Sequence, residues 1–215
     1  MNPTRVVITD SAPYGLLRIR NEGAETMRVQ ASAFRWRMSE SIESLDATDA
    51  VLINPPIFKL EPGETQLLRI GLRSPVPSQA GVELAYRVIL EEIPPSRASD
   101  VGGIRTLLRI SLPLFARAER TRPHALEWSL KQAEDGLRLR VRNLGGQHAL
   151  LSRLLLRGWS KQPLAVSLSA REYVLPGAYR DWLIDAPAAA PDAQLSVLGR
   201  LDGGSFRAEL PALQQ

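Results

Sequence analysis

The residues able to do covalent chemistry are few, and their spacing does not serve it. The two histidines, His124 and His148, stand at metal-ligand spacing neither to each other nor to a carboxylate, so both read as ordinary surface residues. Without cysteine there is no disulfide scaffold, zinc ribbon or thiol nucleophile. Glu91 and Glu92 are adjacent, but neighbours on a strand point to opposite faces and cannot share a substrate. No Gly-x-Ser-x-Gly elbow and no phosphate-cradling glycine loop occurs; Gly102-Gly103 and Gly203-Gly204 are isolated turns. Aromatic residues make up 6% of the chain and form no stacking platform for single-stranded nucleic acid. The chemistry left is binding, and the expectation is no enzyme, no metal and no cofactor.

One stretch, residues 104–117 (Ile-Arg-Thr-Leu-Leu-Arg-Ile-Ser-Leu-Pro-Leu-Phe-Ala-Arg), is built for binding. Leu108, Ile110, Leu112 and Leu114 alternate with Arg109, Ser111 and Pro113, which places one apolar row on a single face of a strand. Pro113 has no N–H to give a ladder and therefore marks a sheet edge or a bulge. Two readings stay open here. The row fills the chain's own core, or the strand is offered edge to edge to a partner whose groove takes the row.

The remaining elements are those of an all-β chain. Strands are expected at 4–8, 16–20, 26–34, 57–60, 66–72 and 83–91, with a loop or ragged edge over 38–52 and turns at 21–23 and 61–64. Residues 119–123 form a charged connection ending in proline, the best domain boundary. Beyond it the pattern restarts: Leu137-Arg-Leu-Arg-Val-Arg-Asn143-Leu-Gly145 echoes Leu17-Arg-Ile-Arg-Asn21-Glu-Gly23, and Leu175-Pro-Gly177 echoes Leu60-Glu-Pro-Gly63. Residues 150–156 read as a strand, and no convincing helix appears. The expectation is two β-sandwiches, residues 1–120 and 121–215. An apolar share of 44% against 23% charged is that of a globular protein. The net charge of +4 is carried mostly by arginines at alternate strand positions, which suits a mildly acidic or carboxylate-bearing partner. No basic run suggests nucleic acid and no segment approaches a membrane span. No signal peptide heads the chain, so it is expected to be cytosolic or to have had its signal removed or replaced.

In this order the motifs resemble the periplasmic chaperones of the chaperone–usher pathway, in a divergent, PapD-like branch. The matching pieces are Pro3-Thr-Arg-Val-Val7, Leu17 to Gly23, Asn54-Pro-Pro-Ile-Phe58, Leu60-Glu-Pro-Gly-Glu-Thr-Gln-Leu-Leu-Arg69, Tyr86-Arg87 through Glu92-Ile-Pro-Pro95, and Leu112-Pro-Leu-Phe115. They cover residues 3–123. The second half is similar through Asn143-x-Gly145, Leu175-Pro-Gly177 and Asp202-Gly-Gly204. The resemblance implies two immunoglobulin-like sandwiches set in an L. It implies a periplasmic protein that binds fimbrial (pilus) subunits by donating a strand and delivers them to an outer-membrane usher. It also admits a self-capped dimer.

Residue by residue, the resemblance makes Ile104, Leu108 and Ile110 groove fillers, with Thr106 or Leu112 at the ends of the row. It puts Arg5 at the position that anchors the subunit's C-terminal carboxylate. Pro113 stands where the usual lysine would, and Arg87 is proposed as its substitute. It further implies a buried inter-domain salt bridge of Glu92, Arg117 and Asp202. Two other readings compete. One is a two-domain adhesin or scaffold that keeps the strand for its own fold. The other is a carbohydrate-binding module using Trp36, Trp128, Trp159 and Trp182, although these four read as core residues.

Overall fold

The computed structural model describes residues 1–39, 41–76, 81–94, 106–134, 136–159, 162–168, 171–186 and 194–211. The described residues contain strands and no helix, and the chain divides into two units: Met1–Arg37 with Ser44–Thr121, and Met38–Glu43 with Arg122–Gln215. Each is an immunoglobulin-like β-sandwich.

The first unit carries β1 (Val6–Thr9), β2 (Tyr14–Arg20), β3 (Met27–Ser39), β4 (Ile42–Ala47), β5 (Val51–Asn54), β6 (Ile57–Leu60), β7 (Thr65–Leu72), β8 (Leu84–Glu92) and β9 (Arg109–Arg117). One sheet runs β1-β9-β8-β3-β4 with β6 beside β3, and the facing sheet is β2-β7-β5. Alternation decides which side chains meet between them. On β2, Leu17 and Ile19 turn inward and Arg18 and Arg20 outward; β7 does the same with Leu68 and Ile70 against Arg69. The core closes over Val6, Ile8, Leu60, Val88 and Leu114.

The second unit carries β10 (Leu126–Ala133), β11 (Gly136–Asn143), β12 (Ala149–Arg157), β13 (Leu164–Val166), β14 (Glu172–Val174), β15 (Tyr179–Ile184), β16 (Ser196–Leu201) and β17 (Gly204–Glu209). Its sheets are β10-β11-β15 and β13-β12-β16-β17, with β14 beside β12. Trp128, Leu139, Leu151, Leu156 and Trp182 fill the space between.

The stretch 38–52, expected as a loop or ragged edge, contains the end of β3, the whole of β4 and the start of β5. No residue of β4 is buried, and Ile42 is 70% exposed. A strand with neither face covered is under no demand to alternate, so its sequence shows no period. Met38–Glu43 groups with the second unit, where Arg180 donates to the carbonyls of Ser41 (3.0 Å) and Tyr173 (3.2 Å) and pairs with Glu43 and Glu172.

The two echoing motifs turn out to be one hydrogen-bond device built twice. Asn21 donates to the carbonyls of Glu25 and Leu60 (2.7 and 3.1 Å), and its Oδ1 accepts from Gly23 N–H (3.0 Å). Asn143 donates to Gln147 and Val174 (2.7 and 3.0 Å), and its Oδ1 accepts from Gly145 N–H (3.0 Å). Each asparagine's own carbonyl accepts from the turn glycine, Gly63 or Gly177, whose φ is 78° or 79°. A proline followed by a glycine at positive φ is the signature of a type II turn. The turn bonds run from Glu64 N–H to Glu61 and from Ala178 N–H to Leu175, so Leu175 corresponds to Glu61 and Val174 to Leu60. The alignment of Leu60 with Leu175 in the sequence is therefore one residue out.

Both asparagines are buried, at 4% and 0% exposure, and their amides satisfy carbonyls that have no water to turn to. Asn143→Asp keeps the shape and loses both donors. It is expected to lower stability by about 2–4 kcal/mol, since each buried polar group left unmatched costs roughly 1–3 kcal/mol. Urea unfolding is the measurement, and a loss below about 0.5 kcal/mol contradicts the role given to the amide.

Candidate functional site

The residues singled out in the sequence converge on β9, and pairing on its two sides is unequal. On one side β8 pairs antiparallel along β9 from Arg109 to Ala116, opposite Glu91 to Leu84. On the other, β1 pairs parallel only with Leu114 to Arg117. Among the described residues no strand lies against Arg109–Pro113 on that side. The Glu92 N–H donates to the Leu108 carbonyl at 2.9 Å. With the two-residue period of an antiparallel ladder, this bond sends the backbone groups of Leu108, Ile110 and Leu112 toward β8 and those of Arg109 and Ser111 outward. Pro113 falls in the outward set, where a missing N–H removes nothing from the β8 ladder.

The apolar row on β9 runs from inside to outside. Leu114 and Leu112 are 0% and 3% exposed and belong to the core; Ile110 is half-buried against it; Leu108 is 53% exposed. Leu112, expected at the end of the row of groove fillers, is a core residue of this chain, in one cluster with Leu17 and Leu68 of the facing sheet. Ile110 is shared between the core and the surface. Thr106 is exposed and precedes the strand, and Ile104 lies outside the described residues. Leu108 and Ile110 border an open recess of about 510 Å3, lined also by Ile19 and Met27 and rimmed by Glu22, Glu25 and Glu92.

The two arginines assigned to a carboxylate flank Pro113. Arg87 is its partner on β8. Val6 pairs with Leu114, so one step earlier in the parallel register Arg5 falls beside Pro113. Arg5, Pro113 and Arg87 thus occupy adjacent places on three neighbouring strands, on the face turned away from the core. Arg87 is half-buried, and its guanidinium lies 3.7 Å from the centre of the Trp36 ring. Trp36 in turn packs on Phe115 (centroids 6.0 Å), and both rings are buried. Sequence reasoning did not find this aromatic support, although Phe34, Trp36 and Phe115 all stand at outward positions of their strands.

Of the expected network of Glu92, Arg117 and Asp202, the Glu92–Arg117 arm does not form. Glu92 lies beside Leu108, whose N–H donates to its carboxylate at 3.3 Å, whereas Arg117 sits at the opposite end of the β8–β9 pair, roughly 30 Å away at about 3.4 Å per residue. The acid beside Arg117 is Glu83, with a fully buried side chain, at 3.7 Å. Counting the antiparallel register back from Pro113 and Arg87 would have found it. Asp202 belongs to the second unit, 3.6 Å from His124. His148 is 5% exposed and packs on Tyr173, so it is not a surface residue.

The four tryptophans offer no exposed sugar platform. Trp36, Trp128 and Trp182 are 1%, 7% and 8% exposed, and Trp159 packs against the second core. No group of three potential metal ligands occurs among the described residues, and none of them forms a helix long and apolar enough to cross a membrane.

The fold and site together define a protein of two immunoglobulin-like sandwiches, the first with a half-paired strand at its margin. The family model for pili and flagellar-assembly chaperones, PapD N-terminal domain, matches residues 1–122, and the chain belongs to that family. Comparison with curated proteins finds no match. Among solved structures, the chain is similar to the CsuC–CsuE chaperone–tip adhesion subunit pre-assembly complex from archaic chaperone-usher Csu pili of Acinetobacter baumannii (TM-score 0.74, 21% identity, 99% of this chain and 97% of that one). It is also similar to the YadV chaperone (TM-score 0.70, 16% identity, 96% of each chain). A third is the Salmonella enterica SafA pilin in complex with the SafB chaperone (TM-score 0.68, 20% identity, 96% of this chain and 93% of that one). At these identities the likeness is one of fold.

Replacing Arg117 with Met removes the guanidinium beside the buried Glu83 carboxylate and is expected to cost about 3 kcal/mol. Glu92→Gln, at the far end of the strand pair, is expected to stay within about 0.5 kcal/mol of the parent. Urea midpoints of the two variants separate this assignment from the original one.

Proposed function

We propose that this chain is a periplasmic pilus-assembly chaperone that captures pilin subunits on the open edge of β9 and hands them to an outer-membrane usher. The observation that carries the reading is the half-paired strand. Arg109 and Ser111 turn backbone donors and acceptors outward, while Leu108 and Ile110 continue the core's apolar row beyond the cover of the facing sheet. A subunit lacking one strand of its own sandwich has the complementary defect, unpaired main-chain groups and an open apolar groove. Pairing with β9 satisfies both. Family membership and the chaperone–subunit complexes among similar structures support the same reading. The driving force is apolar burial, up to about 1.5–3 kcal/mol for a fully buried leucine or isoleucine, together with ladder bonds, and needs no nucleotide or metal.

Arg5 and Arg87 serve the subunit's C-terminal carboxylate on either side of Pro113. The Trp36 ring beneath Arg87 restricts its guanidinium, so less freedom is lost when an anion is bound. Without a subunit, the same edge is open to a second copy of the chain, which would cap itself as a dimer.

Leu108→Asp tests the strand-donation reading. Leu108 is half exposed, so the variant is expected to unfold within about 1 kcal/mol of the parent, whereas an unpaired charge in the subunit's groove should weaken capture by about 100-fold or more. Co-expression with a candidate pilin and affinity capture is the measurement, and full capture by a folded Leu108→Asp chain sinks the proposal. Ile110→Asp is less clean because Ile110 also packs on the core. Arg5→Ala and Arg87→Ala should each lose roughly 1.5–3 kcal/mol of affinity, and the double variant less than the sum, since both would serve one anion. Wild-type affinity in both single variants would show that the carboxylate is held elsewhere.

A further inference from the structure

In the second unit, the outward face of the β10-β11-β15 sheet carries a file of arginines, one of which is ion-paired. On β11, Leu137, Leu139 and Val141 are fully buried, so Arg138, Arg140 and Arg142 stand in file on the outside. Across the sheet, Lys131 is opposite Arg138 and Glu127 opposite Arg142 on β10, while Asp181 is opposite Arg140 on β15. Arg140 is compensated. Its Nε and Nη2 donate to the two oxygens of Asp181 at 2.7 and 2.8 Å, and its guanidinium lies 4.0 Å from the Tyr179 ring centre. No ion pair within 4 Å joins Lys131, Arg138 or Arg142 to a described carboxylate. Lys131 and Arg138 are like charges set directly opposite on neighbouring strands, an arrangement that destabilises a sheet. Beside Arg138, Leu183 is 49% exposed, and the face opens into a recess of about 540 Å3 walled by Trp128, Tyr179 and Pro211.

We infer that this face binds an extended acidic segment of a partner protein, with carboxylates four residues apart resting on Arg138 and Arg142. Arg138 and Arg142 are themselves four residues apart on a strand, roughly 13–14 Å, which is the span between positions i and i+4 of an extended peptide. Between them Arg140 is neutralised by Asp181, so the intervening residues of the segment need no charge. Leu183 and the walled recess accept apolar side chains at the two ends of the face, and an arginine, aromatic and leucine surface of this kind is typical of protein interfaces. The carboxylates of Glu127 and Asp181 on the same face confine the positive field to a strip, which suits a peptide strand and not a nucleic-acid backbone or an anionic bilayer. The surface lies wholly in the second unit and shares no residue with the β9 edge.

The test uses the full chain and a fluorescent peptide, acetyl-Thr-Glu-Val-Thr-Val-Glu-Thr-amide, followed by anisotropy at low and physiological salt. Saturable binding that weakens with salt is expected, because the contact is made at exposed cations. The Arg138→Glu, Arg142→Glu double variant should bind about tenfold or more weakly, the loss of a single charge-assisted contact being enough for that factor. The glutamine version of the peptide should show the same loss, and Leu108→Asp should bind the acidic peptide as the parent does. The Arg138→Gln, Arg142→Gln variant, which avoids charge reversal, provides the same comparison if the glutamate pair disturbs folding. Equal binding of the glutamine peptide, undiminished binding by both double variants, absence of saturable binding to the folded chain, or binding to phosphatidylglycerol vesicles in place of the peptide would each overturn the assignment.

Discussion

A strand that is paired along one side for its whole length, and along the other for only half, governs the rest of this molecule. β9 is held on both sides from Leu114 to Ala116, where β1 and β8 flank it and Leu114, Phe115 and Ala116 are fully buried. That half anchors the strand. The other half, Arg109–Pro113, keeps its shape because β8 continues beside it, while among the described residues no strand fills the opposite ladder positions. Exposed edges of this sort invite aggregation, and Arg109 and Pro113 are the devices that limit it. The same apolar row thus serves two purposes graded by depth, with Leu112 and Leu114 for stability and Leu108 for a partner, and Ile110 contributing to both.

The rigidity such an edge requires comes from elements that carry no function of their own. The Trp36–Phe115 pair fixes the outer side of β8 and β9 where Arg87 rests. The buried asparagines tie the second strand of each sandwich to its Pro-Gly turn through main-chain groups, so residues far apart in the chain meet at one amide. That the device recurs with Leu60 replaced by Val174 and Glu61 by Leu175 shows what it demands of the sequence. It needs the asparagine and the turn glycine, and is indifferent to most side chains around them.

Much of this was legible in the sequence, and the failures share a physical cause. Alternation identifies a strand and the face a residue occupies, which is why the all-β reading and the edge marked by Pro113 agree with the structure. It does not report depth, because that depends on how far the facing sheet extends, and so Leu112 was grouped with Leu108. Nor does a linear motif report register. Glu92 stands close to the expected signature, yet the acid opposite Arg117 is Glu83, and only pairing β8 against β9 residue by residue reveals it. β4 was missed for the opposite reason, since a strand without a covered face has no pattern to read.

The central claim concerns backbone groups, so the most direct measurement looks at them. Hydrogen–deuterium exchange at the amides of Arg109 and Ser111, in the free chain and in complex with a pilin subunit, reports whether a strand is added at this edge. Both amides turn away from β8, so the account predicts exchange near the unprotected rate in the free monomer and strong protection in the complex, with the Ile110 and Leu112 amides protected in both. Protection of Arg109 and Ser111 already present in the free monomer, or exchange there unchanged by a bound subunit, would contradict it.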